Sequence, residues 1–241
     1  MSPAERLPVI AVTGMAFEAR IAAGPDVITV CATRADALVE ALIAAIAKGC
    51  RGIVSFGVAG GLAPHVKPGD CIVARSIVTP QQRFDTHLEW ASRLLQSIPG
   101  AMHADMAGSL QLISSPADKI ALGQATGALA VDMESIVVAR VAAEHGVPFA
   151  VVRVVADACH RELPPAARVD LLPDGTPDLR AVLASVIRRP HQIAGLMRVA
   201  LDTRAARSTL VRVRRQMGPG FGLAEEAESM APSQPAIEHA E

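Results

Sequence analysis

Aromatic residues are almost missing from this chain: it has one Trp, five Phe and no Tyr in 241 residues. A surface that stacks single-stranded bases needs aromatic platforms, so that class of partner is excluded. A charge excess of either sign is also missing, with 23 Lys and Arg against 24 Asp and Glu, which removes any general drive toward nucleic acid. Cysteine is sparse, and Cys31, Cys50, Cys71 and Cys159 stand far apart with no C-x-x-C pair. That excludes a disulfide framework or thiolate zinc site and fits small buried thiols in a reducing compartment. No metal-ligand cluster appears, and no redox cofactor is implied. No run reaches the length of a membrane-spanning helix. The apolar stretch Leu7–Phe17 after Arg6 has the look of a signal-peptide core. However, Glu18 and Arg20 interrupt it and no small-residue cleavage site follows cleanly, so a buried first strand and a cytoplasmic protein are expected.

With so few aromatics, the core must be built from Ala, Val, Leu and Ile. The length suits one α/β domain, expected over residues 1–222, with C-terminal helices at about 177–215. Pro8–Thr13, Val27–Val30, Gly52–Gly61, Cys71–Val78, Ser109–Ser114 and Leu129–Val131 read as strands. Phe149–Ala156 is apolar and β-branched except for Arg153, the pattern of a strand buried on both faces of a parallel sheet. Helices are expected at Ala35–Lys48, Phe84–Ile98 and Pro116–Gln124, and from Asp132 and Glu134 to a stop at Gly146 and Pro148. Such alternation implies a three-layer α/β/α sandwich.

Carboxylates recur where strands end. In open α/β sheets ligands bind beyond the carboxyl ends of the strands. Glu18 follows the first strand, Glu134 follows Leu129–Val131, and Asp157 follows Phe149–Ala156. Each has a plain alternative: Glu18 as a first-turn carboxylate favoured by the helix dipole, Asp157 as a helix cap. Gly57–Gly61 reads as a glycine-rich turn that admits close backbone approach to a ligand, or as a simple tight turn; it is neither a dinucleotide fingerprint nor a P-loop. Past Asp157, Leu179–Val186 and Gln192–Arg207 read as helices, the second with Ile193, Leu196, Met197, Ala200 and Leu201 on one face. Arg188 to Arg215 holds eight Arg and one acid, Asp202. A basic helix with an apolar face either docks on its own domain or lies on an anionic membrane surface. Residues 223–241, with five Glu and no Lys or Arg, read as a disordered acidic tail.

Four pieces carry a resemblance to a known family. They are Thr13-Gly14-Met15 with Glu18; Gly57-Val58-Ala59-Gly60-Gly61-Leu62-Ala63-Pro64 with Lys67-Pro68-Gly69-Asp70; Val131-Asp132-Met133-Glu134; and Pro148-Phe149 through Arg153 to Asp157. In this order they resemble the purine nucleoside phosphorylase and nucleosidase superfamily, near the methylthioadenosine/S-adenosylhomocysteine nucleosidases. The basic extension is similar to the hopanoid-associated nucleoside phosphorylases, which remove adenine from adenosylhopane. The resemblance implies a mixed central sheet of the nucleoside phosphorylase type and cleavage of a purine N-glycosidic bond.

It also implies roles. Asp157 corresponds to the acid that protonates the purine at N7, Glu134 to the carboxylate that holds the ribose hydroxyls, Met133 to a ribose contact, and Glu18 to the activator of the attacking water. Gly14, Gly57, Val58 and Arg20 are the positions for water or phosphate, and Ser114 and Ser115 those for purine contact. The sequence departs from the family at Val58, where Ser or Thr is usual, at Ser55-Phe56, where phosphorylases carry Arg, and at Ala156, where Ser is usual. Retained Glu18 favours water as nucleophile; the hopanoid branch favours inorganic phosphate as co-substrate. Further readings are a methylthioadenosine/S-adenosylhomocysteine nucleosidase and a non-catalytic nucleoside-binding module. A homo-oligomer is expected, and peripheral membrane contact suits a lipid-tailed substrate.

Overall fold

The structure, a computed structural model, describes residues 7–169, 172 and 174–223. Among these residues eight strands form one mixed sheet: β1 (Val9–Thr13), β2 (Val27–Cys31), β3 (Gly52–Gly61), β4 (Cys71–Val78), β5 (Arg83–Asp85), β6 (Met102–Gly108), β7 (Ala130–Asp132) and β8 (Phe149–Asp157). β1 runs parallel to β2 and β3, and β3 runs parallel to β8. β8 turns antiparallel to β4, β4 pairs with β6, β6 with β7, and β7 returns antiparallel to the far end of β3. These last pairings close a ring, so the long strand β3 belongs both to an open parallel sheet and to a barrel-like closure.

Among the described residues seven α-helices flank the sheet: α1 (Ala16–Ala22), α2 (Ala35–Ile46), α3 (Leu88–Ser97), α4 (Pro116–Thr126), α5 (Ser135–His145), α6 (Leu179–Arg188) and α7 (Ile193–Gln216). Strand alternation divides the core. Ile10, Val12, Val151 and Val155 face α2 and α5, whereas Val9, Ala11, Ala150, Val152 and Val154 face α1, α3 and α7. The result is the expected three-layer sandwich. Three of the scarce aromatics, Trp90, Phe56 and Phe221, meet on the second face. Trp90 is fully buried and its indole N–H donates to the Phe221 carbonyl at 2.8 Å, while Phe221 meets Phe56 edge-on at 5.3 Å between ring centres.

Several element expectations need correction. Phe84–Ile98 is not one helix: Arg83–Asp85 adds antiparallel to β4, and α3 starts at Leu88, capped by His87. Ser109–Ser114 is not a strand. The strand is Met102–Gly108, whose polar residues hid it; Asp105 is satisfied by Arg75, Ser76 and Arg83 at 2.9–3.0 Å. Gly57–Gly61 is the end of a strand with a register shift after Ala59 rather than a turn. α7 runs nine residues past Arg207 and packs through Ala206, Leu210 and Val213, leaving the expected apolar face of Ile193, Met197 and Leu201 exposed. The acidic tail lies outside the described residues apart from Leu223.

Candidate active site

β1 ends at Thr13, and the chain turns through Gly14 and Met15 into α1. Glu18, one turn in, folds back toward its own helix start. Its Oε2 accepts from the Gly14 N–H at 3.0 Å and the Met15 N–H at 2.9 Å, and its Oε1 accepts from the Val58 N–H at 2.7 Å. The first-turn reading of Glu18 is therefore true, but the carboxylate also reaches across to β3, where sequence spacing alone would not place it. Burial pushes its pKa from 4.5 up to about 7; Arg153 pulls against this, neighbouring Glu134 adds to it, and the Val58 and Met15 N–H groups oppose it.

Glu134 stands between β7 and α5, with its carboxylate over Gly14, where a Cβ would collide with it. Burial also raises its pKa, against the pull of Arg153 and with the help of Asp132. Gly57 is glycine for a related reason: a Cβ there would lie 2.5 Å from Glu18 Oε1 and 2.6 Å from Arg153 Nη1. Arg153, fully buried on β8, ties the cluster together. Its Nη2 pairs with Asp132 at 2.6 Å and Glu134 at 3.0 Å and donates to Ser55 Oγ at 2.6 Å. Asp132 in turn accepts from the Ser135 N–H and hydroxyl. An arginine inside an apolar strand needs such partners, because an unpaired buried charge costs several kcal/mol.

Asp157 closes β8 and pairs in register with Gly60, two positions along β3 from the Val58 N–H that holds Glu18. That offset is about 7 Å of strand. Asp157 is therefore not a helix cap. Burial raises its pKa, and the ion pair with Lys119 lowers it. Lys119, on α4, is fully buried and pairs with Asp157 Oδ2; it also donates to the carbonyls of Arg161 at 3.0 Å and Ala158 at 3.4 Å. No sequence pattern marks it, since a lysine four residues into a short helix reads as solvated. The inversion shows only in the fold, where Lys119 is buried and its neighbour Ile120 is exposed.

Met133 and Glu134 line a cleft of about 380 Å³ with Ala32, Arg34, Leu38 and Leu110. Gly14, Gly57, Val58, Glu18 and Glu134 thus come together, and Asp157 sits next along β3. Arg20 does not join them: it is exposed, and its Nε donates to the Ala16 carbonyl of its own helix. Ser115 caps α4, accepting from the Asp118 N–H at 3.1 Å and donating to its carboxylate at 2.5 Å; the Ser114 carbonyl accepts from the Leu163 N–H. A larger groove, about 620 Å³, runs along the basic end of α7 and is lined by Arg204, Arg207, Arg212 and Arg215, none of which is in the carboxylate cluster. Among the described residues no group of His, Cys, Asp and Glu could hold a metal ion, and no helix is long and apolar enough to cross a membrane.

The sequence profile of the phosphorylase superfamily matches residues 5–108 and 106–188. The chain belongs to the phosphorylase superfamily. No curated protein matches it. Among solved structures, this phosphorylase-superfamily chain is similar to Helicobacter pylori 5'-methylthioadenosine/S-adenosylhomocysteine nucleosidase bound to an inhibitor, at 15% identity and a TM-score of 0.63, covering 88% of this chain and 98% of the other. It is also similar to the futalosine hydrolase of Helicobacter pylori strain 26695, at 15% identity, TM-score 0.61, and 88% and 97% coverage. A third is S-adenosylhomocysteine nucleosidase from Streptococcus pyogenes, at 15% identity, TM-score 0.57, and 83% and 98% coverage. At such identities the likeness is one of fold.

Proposed function

We propose that this phosphorylase-superfamily chain cleaves the N-glycosidic bond of an adenine nucleoside. The observation that carries the reading is the set of carboxylates at one sheet edge, Glu18 against Val58, Glu134 against Gly14 and Arg153, and Asp157 beside Gly60. Cleavage builds positive charge on the ribose and negative charge on the departing base. Glu134 holds the ribose hydroxyls and faces the developing cation, with Met133 against the sugar. Asp157 serves the base at N7. Glu18, with its pKa near 7, takes a proton from the attacking water.

Water is favoured over phosphate. A phosphate cradle would need the backbone N–H groups of Gly14 and Val58, and both already donate to Glu18. Two neighbouring carboxylates repel an anion, and Arg20 points elsewhere. Inorganic phosphate remains the co-substrate of the second reading, since the basic C-terminal helices are similar to those of the hopanoid-associated phosphorylases.

A 5'-substituted nucleoside with an apolar tail, such as adenosylhopane, suits the mouth of the cleft. Leu110 and Met133 line it and are exposed, and α6 and α7 present Leu183, Ile187, Met197 and Leu201 to solvent. Peripheral contact with a membrane surface and a homo-oligomer covering Leu112 and Ile120 belong to the same reading. The alternative substrate is methylthioadenosine or S-adenosylhomocysteine, in keeping with the nucleosidases of the same fold. Val58 and Ala156 leave room for a non-catalytic nucleoside binder. Adenine release from adenosine, methylthioadenosine and adenosylhopane, with and without phosphate, tests all of these. Phosphate-independent release is expected. Strict phosphate dependence would reassign Glu18 to positioning, and binding without release would leave only the binder.

A further inference from the structure

A general acid must carry a proton to give, yet Asp157 is held in an ion pair. Its Oδ2 faces the ammonium of Lys119, which draws the carboxyl toward its ionised form against the larger effect of burial, which raises its pKa. The other charged group acting on it is Arg161 of the segment after β8, itself paired with Asp202 of α7. Neither arginine nor backbone supplies a transferable proton. The acid in contact with Asp157 is the ammonium itself. Lys119 has no exposed surface, whereas the Asp157 side chain keeps 15% of its own, so the lysine is the deeper member of the pair. Its remaining hydrogen bonds, to the Ala158 and Arg161 carbonyls, fix the ammonium in place.

We propose that Lys119 is a positioning residue and proton reservoir for Asp157, acting through it on the leaving purine. This rests on the nucleoside-cleavage reading. As the C1'–N9 bond breaks, its electron pair goes to the purine. The Lys119 ammonium passes a proton to Asp157 Oδ2 as Asp157 passes one to N7, which leaves Asp157 a carboxylate and Lys119 an amine. The attacking water gives its proton to Glu18. Solvent then carries that proton away and one back to Lys119, so charge and protons balance over the cycle.

The test compares wild type, Lys119→Met and Lys119→Arg on two substrates under the same conditions. One is a purine nucleoside, whose base needs a proton to leave. The other is p-nitrophenyl β-riboside, whose phenolate leaves without one. Lys119→Met is expected to lower kcat for purine release by about 100-fold with KM changed only a few-fold, the scale of one lost acid catalyst. Its pH profile should shift, because Asp157 must then bring its own proton, while the p-nitrophenyl reaction falls far less. Lys119→Arg keeps the charge and the fold but holds its proton, and should not rescue kcat. Equal loss on both substrates with an unshifted profile, or full rescue by Arg, would overturn the relay and leave Lys119 as a brace for the Ala158–Arg161 segment. If the Met variant does not fold, the Arg variant alone decides through the same substrate ratio. A wild type that releases no purine from any nucleoside refutes the functional reading instead, and is seen before any variant is made.

Discussion

Glu18 is a carboxylate that folding keeps protonated well above its ordinary range, and this links the site to stability. Its pKa is 4.5 in an exposed chain and about 7 here. Between these values the native state holds a proton that the unfolded chain has released. The stabilisation from that proton is full below pH 4.5 and is lost as pH rises through about 7. Relative to Glu18→Gln, whose side chain does not titrate, wild-type stability should fall on the order of 3 kcal/mol across this interval. Urea denaturation of both proteins at pH 4.5, 5.5, 6.5 and 7.5 measures it; parallel curves would show that Glu18 is already ionised in the native state. Activity should move in the opposite sense. Only ionised Glu18 can accept a proton from water, so kcat/KM rises toward pH 7 while stability declines. Site and fold are in opposition here, as they often are where a strained or buried charge serves chemistry.

At the scale of elements, the consecutive helices α6 and α7 both leave apolar residues exposed. Leu179, Leu183 and Ile187 recur every fourth residue on one helix and Ile193, Met197 and Leu201 on the next, and all six are exposed. Exposed Arg180, Arg188, Arg189 and Arg198 accompany them. An apolar ridge edged with arginine suits the surface of an anionic bilayer, where each buried Leu or Ile gains roughly 1.5–3 kcal/mol. The protein should therefore float with phosphatidylglycerol vesicles and not with phosphatidylcholine vesicles, and Leu183→Glu with Met197→Glu should abolish flotation while adenosine turnover is kept. If these variants instead turn a dimer into a monomer in the ultracentrifuge and no vesicle ever binds, the ridge is an interface between copies. The same helices show what sequence can carry. The amphipathic period of α7 was legible, but which apolar stripe meets the sheet was not: both Ile193–Leu201 and Ala206–Val213 satisfy it, and only the approach of β8 selects the second. Glu18, Glu134 and Asp157 were legible because each sits where a strand pattern breaks. The need of Arg153 for a buried acid was legible too, since no apolar strand tolerates a bare guanidinium. Lys119 was not, because its burial depends on how α4 lies against the segment after β8, and nothing local records that.

At the scale of the molecule, the near absence of aromatics places unusual weight on one cluster. Trp90 from α3, Phe56 from the middle of β3 and Phe221 beyond α7 meet on the face of the sheet opposite α2 and α5, and the Arg214 guanidinium lies 4.2 Å from the Phe221 ring centre. Phe221 adopts a left-handed backbone (φ +55°), a conformation a bulky side chain holds only when its surroundings impose it. The constraints are the ring contacts and the bond from the Trp90 indole to the Phe221 carbonyl. Through Phe221 and Phe56, Trp90 thus links the end of α7 to β3, the strand that holds Glu18 and pairs beside Asp157. Trp90→Ala removes the largest buried side chain and leaves a carbonyl without its donor, so a loss of about 3–5 kcal/mol is expected. Trp90→Phe keeps most of the volume but not the N–H, and should lose less. Because β3 holds Gly57 and Val58 by its own pairing with β1 and β8, turnover per folded molecule should stay near wild type in both variants. Circular-dichroism urea titrations beside active-site-normalised kcat separate the two effects. A variant that unfolds early yet turns over normally when folded marks Trp90 as an anchor of the fold. A fall in kcat in the folded population would mean that α7 and β3 move as one unit and that the aromatic cluster sets the geometry of the site.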